Sequence, residues 1–261
     1  MGGEKREVTS FFSDVAGFTS IAEGLSPEDL VNLLNAYLSR MTEIILSSGG
    51  TLDKYEGDAI IAFWNAPLDQ PDHALRACRA ALACQKKLQE LTPDFKEQFG
   101  HELAMRIGLN SGPAVVGNMG SSRRFDYTAM GDTVNLASRL EGACKQYKVP
   151  ILVGEGTFEK IKEDILCLEV DMIRVVGKKN PVRIFEIIGE KGDASSSTLE
   201  KIRSYEQALE AYRNRQWEKA LDLFRKIEDD VLAQLYVSRC LSLKEMRSLE
   251  GWDGVYDLKV K

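Results

Sequence analysis

VTSFFSDVAGFTS, residues 8–20, reads as an apolar strand that ends on a carboxylate, Asp14, and turns at once through Gly17. A second carboxylate, Asp58, sits in KYEGDAIIAFW, residues 54–64, where a polar turn feeds another apolar strand. Two acids at one sheet edge offer hard oxygen ligands, which suit Mg²⁺ or Mn²⁺. A metal pair about 4 Å apart stabilises both the attacking and the leaving oxygen of an in-line displacement.

Outward from these strands the chain alternates helix and strand. SPEDLVNLLNAYLSRMTEIILSSGG, residues 26–50, predicts a helix capped by Ser26, with Pro27 in its first position, Asp29 completing a capping box and Gly49-Gly50 stopping it. Leu30, Leu33, Leu34, Tyr37, Leu38, Met41, Ile44 and Ile45 recur at helical spacing and give one apolar face. Residues 51–64 read as a hairpin turning at Glu56-Gly57. A second helix is expected from a cap at Asp72 through Leu91, then strands LAMRIGLNSG and AVVGNMG separated by a turn at Ser111-Gly112-Pro113. A helix from about Asp132 to Tyr147, strand PILVG, a short helix near 156–164 and the strands LEVDMIRVV and VRIFEII complete the pattern. This is an α+β, ferredoxin-like sandwich over residues 1–188.

GEKGDASSST, residues 189–198, is polar and glycine- and serine-rich, and reads as a linker. Beyond it, residues 199–261 form a small all-α tail. Ala208, Tyr212, Trp217, Ala220, Phe224 and Ile227 stand at the offsets of a tetratricopeptide-type helical pair, with a third helix near 231–246. One such repeat cannot bury itself, so the tail is expected to dock on the main domain or on a protein partner.

Composition narrows the function. With 261 residues, 44% of them hydrophobic and 28% charged, the chain is globular. A net charge of −6 argues against sequence-independent binding to nucleic acid or to an anionic bilayer. The five cysteines show no CxxC pairing and read as reduced core residues of a cytoplasmic protein. His73 and His101 lie in no motif, so zinc sites and histidine-based nucleophiles have little material. No apolar run is long enough to span a bilayer. The few polar residues before the first strand suggest a fragment, with an upstream sensor or membrane segment left off.

In FDYTAMGDTVNLASRLEG, residues 125–142, a helix opening at Gly131-Asp132 puts Asn135 and Arg139 four apart on one face. Such a pair can hold a ribose and a phosphoryl group side by side. Thr128 lies on the strand leading in, and Lys54 stands four residues before Asp58. Taken singly, Asp14 reads as a turn cap, Lys54 as a solvated hairpin charge and Arg139 as a surface partner for Glu141.

Together, FFSDVAGFTS, KYEGDAIIAFW, MRIGLNSGPAVVGNMG and DYTAMGDTVNLASRLEG resemble, in order and spacing, the catalytic domain of the class III nucleotidyl cyclases. The resemblance implies that Asp14 and Asp58 bind two divalent cations, Mg²⁺ or Mn²⁺, with the Val15 carbonyl as a further ligand and the backbone of Phe18 and Thr19 near the phosphates. It implies that Lys54 and Thr128 read the purine, a lysine/threonine pair of a bacterial-type subgroup that favours ATP. Asn135 then orients the ribose, Arg139 stabilises charge on the α-phosphate and Arg106 holds the outer phosphates. One position departs: many members carry a lysine before a glycine near the closing strands, whereas IRVVGKKNPVR has Val176 there, leaving Lys178 or Arg174 as the substitute.

The resulting expectation is an adenylate cyclase converting ATP to 3′,5′-cyclic AMP and pyrophosphate. Its sites would be shared across a homodimer, with Lys54, Thr128, Asn135 and Arg139 of one chain facing Asp14 and Asp58 of another. A guanylate cyclase, a diguanylate cyclase and a catalytically silent regulatory module are the competing readings. The absence of a GGDEF-type signature opposes the diguanylate cyclase, and retention of both aspartates and of Asn135 and Arg139 opposes the silent module.

Overall fold

A computed structural model describes residues 2–121, 123–174, 180–245 and 252–258. In chain order the elements are β1 (Gly3–Val15), α1 (Phe18–Gly24), α2 (Pro27–Ser47), β2 (Thr51–Glu56), β3 (Ala59–Trp64), α3 (His73–Phe99), β4 (Met105–Gly120) and β5 (Phe125–Met130). They continue with α4 (Asp132–Tyr147), β6 (Ile151–Gly154), α5 (Glu155–Ile161), β7 (Ile165–Arg174), β8 (Val182–Glu190), α6 (Ser196–Arg213), α7 (Trp217–Arg225), α8 (Val231–Glu245) and β9 (Tyr256–Asp257).

The strands form one sheet in the order β2-β3-β1-β4-β6-β8-β7-β9, with β5 paired to β4. Alternation along the central strands assigns each helix to a face. Phe11, Val15, Ile60, Ala62, Trp64, Ile107 and Leu109 pack with Leu33, Tyr37, Met41 and Ile45 of α2 and with the alanine-rich side of α3. The intervening β4 residues Arg106, Gly108 and Asn110 meet α4 on the opposite face, through Glu141, Ala137 and Thr133. There α4 joins Leu152, Leu168, Val170 and Ile184 and the tail helices in a second cluster. A third, small cluster forms where the outer half of β4 and β5 curls over β3, bringing Val116, Ala129 and Tyr127 against Val8 and Phe63. That curl carries Thr128 to β2.

Local signals for α2 hold: Ser26 Oγ accepts the Asp29 N–H at 3.1 Å and donates to the Asp29 carboxylate at 2.7 Å. Three local expectations do not. The expected break at Ser111-Gly112-Pro113 is absent, and β4 runs unbroken through it because β4 pairs with β1 from Met105 to Gly117, Gly112 opposite Val8 and Pro113 opposite Glu7. Pro113 falls between the stretches of β4 that pair with β6 and with β5, where a missing N–H costs no ladder bond on that edge. The glycine makes room for Thr133, whose hydroxyl donates to the Pro113 carbonyl at 2.8 Å. Helix α3 does not stop at Leu91 but continues through Pro93, because Phe95 is buried in the first core. Asp72 makes no side-chain cap; its carboxylate takes the Arg76 guanidinium at 2.7 Å instead.

The tail docks on the sheet. Ala208, Tyr212, Trp217, Ala220, Phe224 and Ile227 are buried in the same cluster as Leu168, Val170 and Ile184, so the helices' apolar face is covered from within the chain. Most of the stretch read as a linker is ordered: β8 runs to Glu190, and Ser195 caps α6 by accepting the Thr198 N–H at 3.1 Å. The tail is helical through α8, and the two-residue β9 pairs in parallel with Ile173 and Arg174. At the seam, Asp171, 1% exposed, accepts from Tyr147 and from Arg239, each at 2.6 Å. Among the described residues no helix is long and apolar enough to cross a membrane.

Candidate active site

Asp14 and Asp58 converge at one end of β1. Asp14 is the penultimate residue of that strand, and Asp58 stands in the β2–β3 turn beside Gly57 at φ 65°. The Val15 N–H donates to Asp58 Oδ2 at 2.9 Å, which ties the two acids together through the residue between them and the turn. Burial, followed by hydrogen bonding with Asp14, pushes the Asp58 carboxyl up to about 6. Beyond Gly17, in the left-handed region at φ 73°, the amides of Ser20 and Ile21 both reach the Gly17 carbonyl. The amides of Phe18 and Thr19 therefore precede the first intrahelical bonds of α1.

Arg106 lies directly across from Asp14 in the β1–β4 register and donates to Asp14 Oδ2 at 2.6 Å. Its Nε is 3.1 Å from Glu141 Oε1 of α4, an ion pair without hydrogen-bond alignment. Glu141 is a member of this cluster that the sequence does not single out, except as one surface partner for Arg139 were that arginine non-functional. Burial first, and repulsion from Asp14 second, push its carboxyl up to about 7, against the opposing pull of Arg106. Two acids, Asp14 and Glu141, thus share one guanidinium, with Asp58 beside them.

This donor set fits divalent cations. Among the described residues no three His, Cys, Asp or Glu side chains group as a complete metal cage. Two carboxylates and a backbone carbonyl are instead the sparse protein contribution that Mg²⁺ tolerates, since it keeps water and phosphate oxygens as its remaining ligands.

A second cluster joins β2 to β5. Thr128 Oγ1 donates to Asp53 Oδ2 at 2.5 Å, and Asp53 Oδ1 lies 3.5 Å from Lys54 Nζ. The structure therefore brings Lys54 and Thr128 together, and the residue that joins them, Asp53, was not singled out from sequence. Neighbours in a regular strand point to opposite faces. Here the register slips between Leu52 and Lys54, so Asp53 is the extra residue of a β-bulge and shares a site with Lys54.

Asn135 and Arg139 lie one turn apart on α4, the first exposed and the second half-buried. Among the described residues, no hydrogen bond or ion pair links either side chain to the two clusters. Gly108 sets the seat of this helix: a Cβ there would overlap the Glu141 nitrogen and the Ala137 carbonyl oxygen. Lys178 lies outside the described residues. Arg174 is committed elsewhere, to Asp253 at 2.6 Å and Asp257 at 2.7 Å.

Residues 3–189 match the family described as the adenylate and guanylate cyclase catalytic domain. Adenylate cyclase 1 of Rhizobium meliloti is 37% identical over 185 residues, covering 71% of this chain but only 28% of that longer protein. The crystal structure of the adenylyl cyclase CyaB from P. aeruginosa superposes with a TM-score of 0.69 at 36% identity, covering 75% of this chain and all of that one. The guanylyl cyclase Cya2 gives the same TM-score and identity, covering 75% of this chain and 98% of its own.

Proposed function

The chain belongs to the adenylate and guanylate cyclase catalytic domain family, and from that premise we propose that it cyclises ATP to 3′,5′-cyclic AMP and pyrophosphate. The observation that carries the choice of ATP is the joint held at Asp53, an ammonium and a hydroxyl presented side by side from β2 and β5. Lys54 then donates to the adenine ring nitrogen and Thr128 meets the exocyclic edge.

Asp14, Asp58 and the Val15 carbonyl are the residues that would hold two cations, Mg²⁺ or Mn²⁺. When bound, these supply Lewis-acid chemistry, acidifying the ribose 3′-hydroxyl and offsetting charge on the departing pyrophosphate. The chain's own residues do the positioning. The first-turn amides of Phe18 and Thr19 offer donors to the phosphates, and Arg106, with its five N–H donors, has capacity for the outer phosphates beside Asp14 and Glu141. Asn135 orients the ribose. Arg139 neutralises charge that develops on the α-phosphate, and loss of one such donor costs about 10²- to 10³-fold in rate.

Among the described residues Asn135 and Arg139 make no hydrogen bond or ion pair with the metal cluster of their own chain, which supports a homodimer whose sites take them from the partner. The likeness to Cya2, equal to that to CyaB, keeps a guanylate cyclase as the second reading.

The test is incubation with ATP and with GTP, with Mg²⁺ or Mn²⁺, over a range of protein concentrations. Cyclic AMP is expected to dominate, with activity per chain falling on dilution. Cyclic GMP as the main product, or no product under any condition, refutes the proposal.

A further inference from the structure

Asp53 sits where a regular strand would not put it. The β-bulge between Leu52 and Lys54 turns its side chain into the Lys54–Thr128 site, where it is only 4% exposed. Its Oδ2 accepts a hydrogen bond from the Thr128 hydroxyl at 2.5 Å, and among the described residues its Oδ1 has no hydrogen-bond partner, with Lys54 Nζ at 3.5 Å. Thr128 is itself 8% exposed, so this hydroxyl is not a freely turning surface rotor.

A threonine hydroxyl has one proton and two lone pairs. With the proton given to Asp53, only lone pairs remain for a base. The site then presents a donor, Lys54, beside an acceptor, Thr128. Adenine offers the complement, an acceptor ring nitrogen beside an exocyclic amine that donates. Guanine offers the reverse at the same two positions, a ring N–H beside a carbonyl. A hydroxyl whose proton were free would turn to suit either base.

We propose that Asp53 is a specificity-determining residue: by holding the Thr128 proton it fixes that hydroxyl as an acceptor and thereby rejects guanine. Asp53 acts through Thr128 and touches no reacting atom, so it is a positioning residue. The inference rests on the adenylate reading above.

The experiment compares wild type with Asp53→Asn, an isosteric change whose amide can donate to Thr128 Oγ1 and release its proton. The readouts are the ratio of kcat/KM for ATP over GTP and, independently of turnover, the ratio of the two dissociation constants. Asp53→Asn is expected to lower the ATP preference by about 10-fold or more in both, since the rejected base then finds a partner. Thr128→Ser keeps the donor to Asp53 and should retain the preference within about twofold, whereas Thr128→Val should lose it. Asp53→Asn that slows both nucleotides equally, with the ratio unmoved, assigns Asp53 a merely structural role and overturns the inference. Should Asp53→Asn fail to fold, full ATP preference in Thr128→Val overturns it as well. A wild type that prefers GTP instead defeats the adenylate reading itself, an outcome visible before any variant is made.

Discussion

Gly108→Ala is the most demanding test of how α4 is seated. The added Cβ would overlap the Glu141 nitrogen and the Ala137 carbonyl oxygen and lie 2.9 Å from the Glu141 Cα. Non-bonded carbons rest at about 3.5–4.0 Å, so α4 must lift from β4 by something on the order of 1 Å. Overpacking of this kind costs about 1–3 kcal/mol, and because the obstacles are backbone atoms the upper end, about 3 kcal/mol, is expected. At roughly 2–4 °C per kcal/mol for a chain of this size, Tm should fall by about 6–12 °C. The same helix carries Asn135, Arg139 and Glu141, and a displacement of about 1 Å in positioning groups can cost about 10²-fold in rate. Thermal unfolding followed by circular dichroism, together with cyclase activity, reads both effects. Gly189→Ala, where an added Cβ meets nothing within 4 Å, is the control and should behave as wild type. A Gly108→Ala protein with Tm within about 2 °C of wild type and undiminished activity would refute the close seating of α4 on β4.

Asp171→Ala should destabilise by about 3–5 kcal/mol, because it strands the Arg239 guanidinium, 11% exposed, at the seam between sheet and tail; an unchanged urea midpoint would show that this pair does not hold the tail. Glu186 is buried beside Asp230, which together push its carboxyl up to about 7 despite Lys201. Its proton is thus bound more tightly in the folded chain, so the contribution is fully present below the unfolded pKa and is lost as pH rises to about 7. Glu186→Gln should therefore raise Tm at pH 8 by more than at pH 5, with an upper limit of about 3 kcal/mol; an equal shift at both pH values sinks the idea. Mixing Asp14→Ala with Arg139→Ala chains should restore activity through one hybrid site, and a mixture as inactive as either variant alone excludes sites shared between chains.

The strand at Asp14, the hairpin at Gly57, α2 with its Ser26 cap and α4 with Asn135 and Arg139 four apart were all legible, because each depends on spacing and capping within a few residues. The candidate acids and cations were legible for the same reason, as residue types at fixed offsets. Tertiary contact decided what those offsets could not. The Gly112-Pro113 turn signal yielded to thirteen consecutive pairings with β1, and the stop before Pro93 yielded to the burial of Phe95. Glu141 meets Arg106 because α4 crosses β4 at Gly108. Asp53 reached Thr128 only through a bulge and the curl of β5 over β3, both properties of the assembled sheet. Local sequence thus determined which chemical groups the protein carries and which elements bear them. The packed sheet determined which groups meet, since contacts between residues 75 positions apart arise from the burial of shared apolar faces and leave no local periodicity to read.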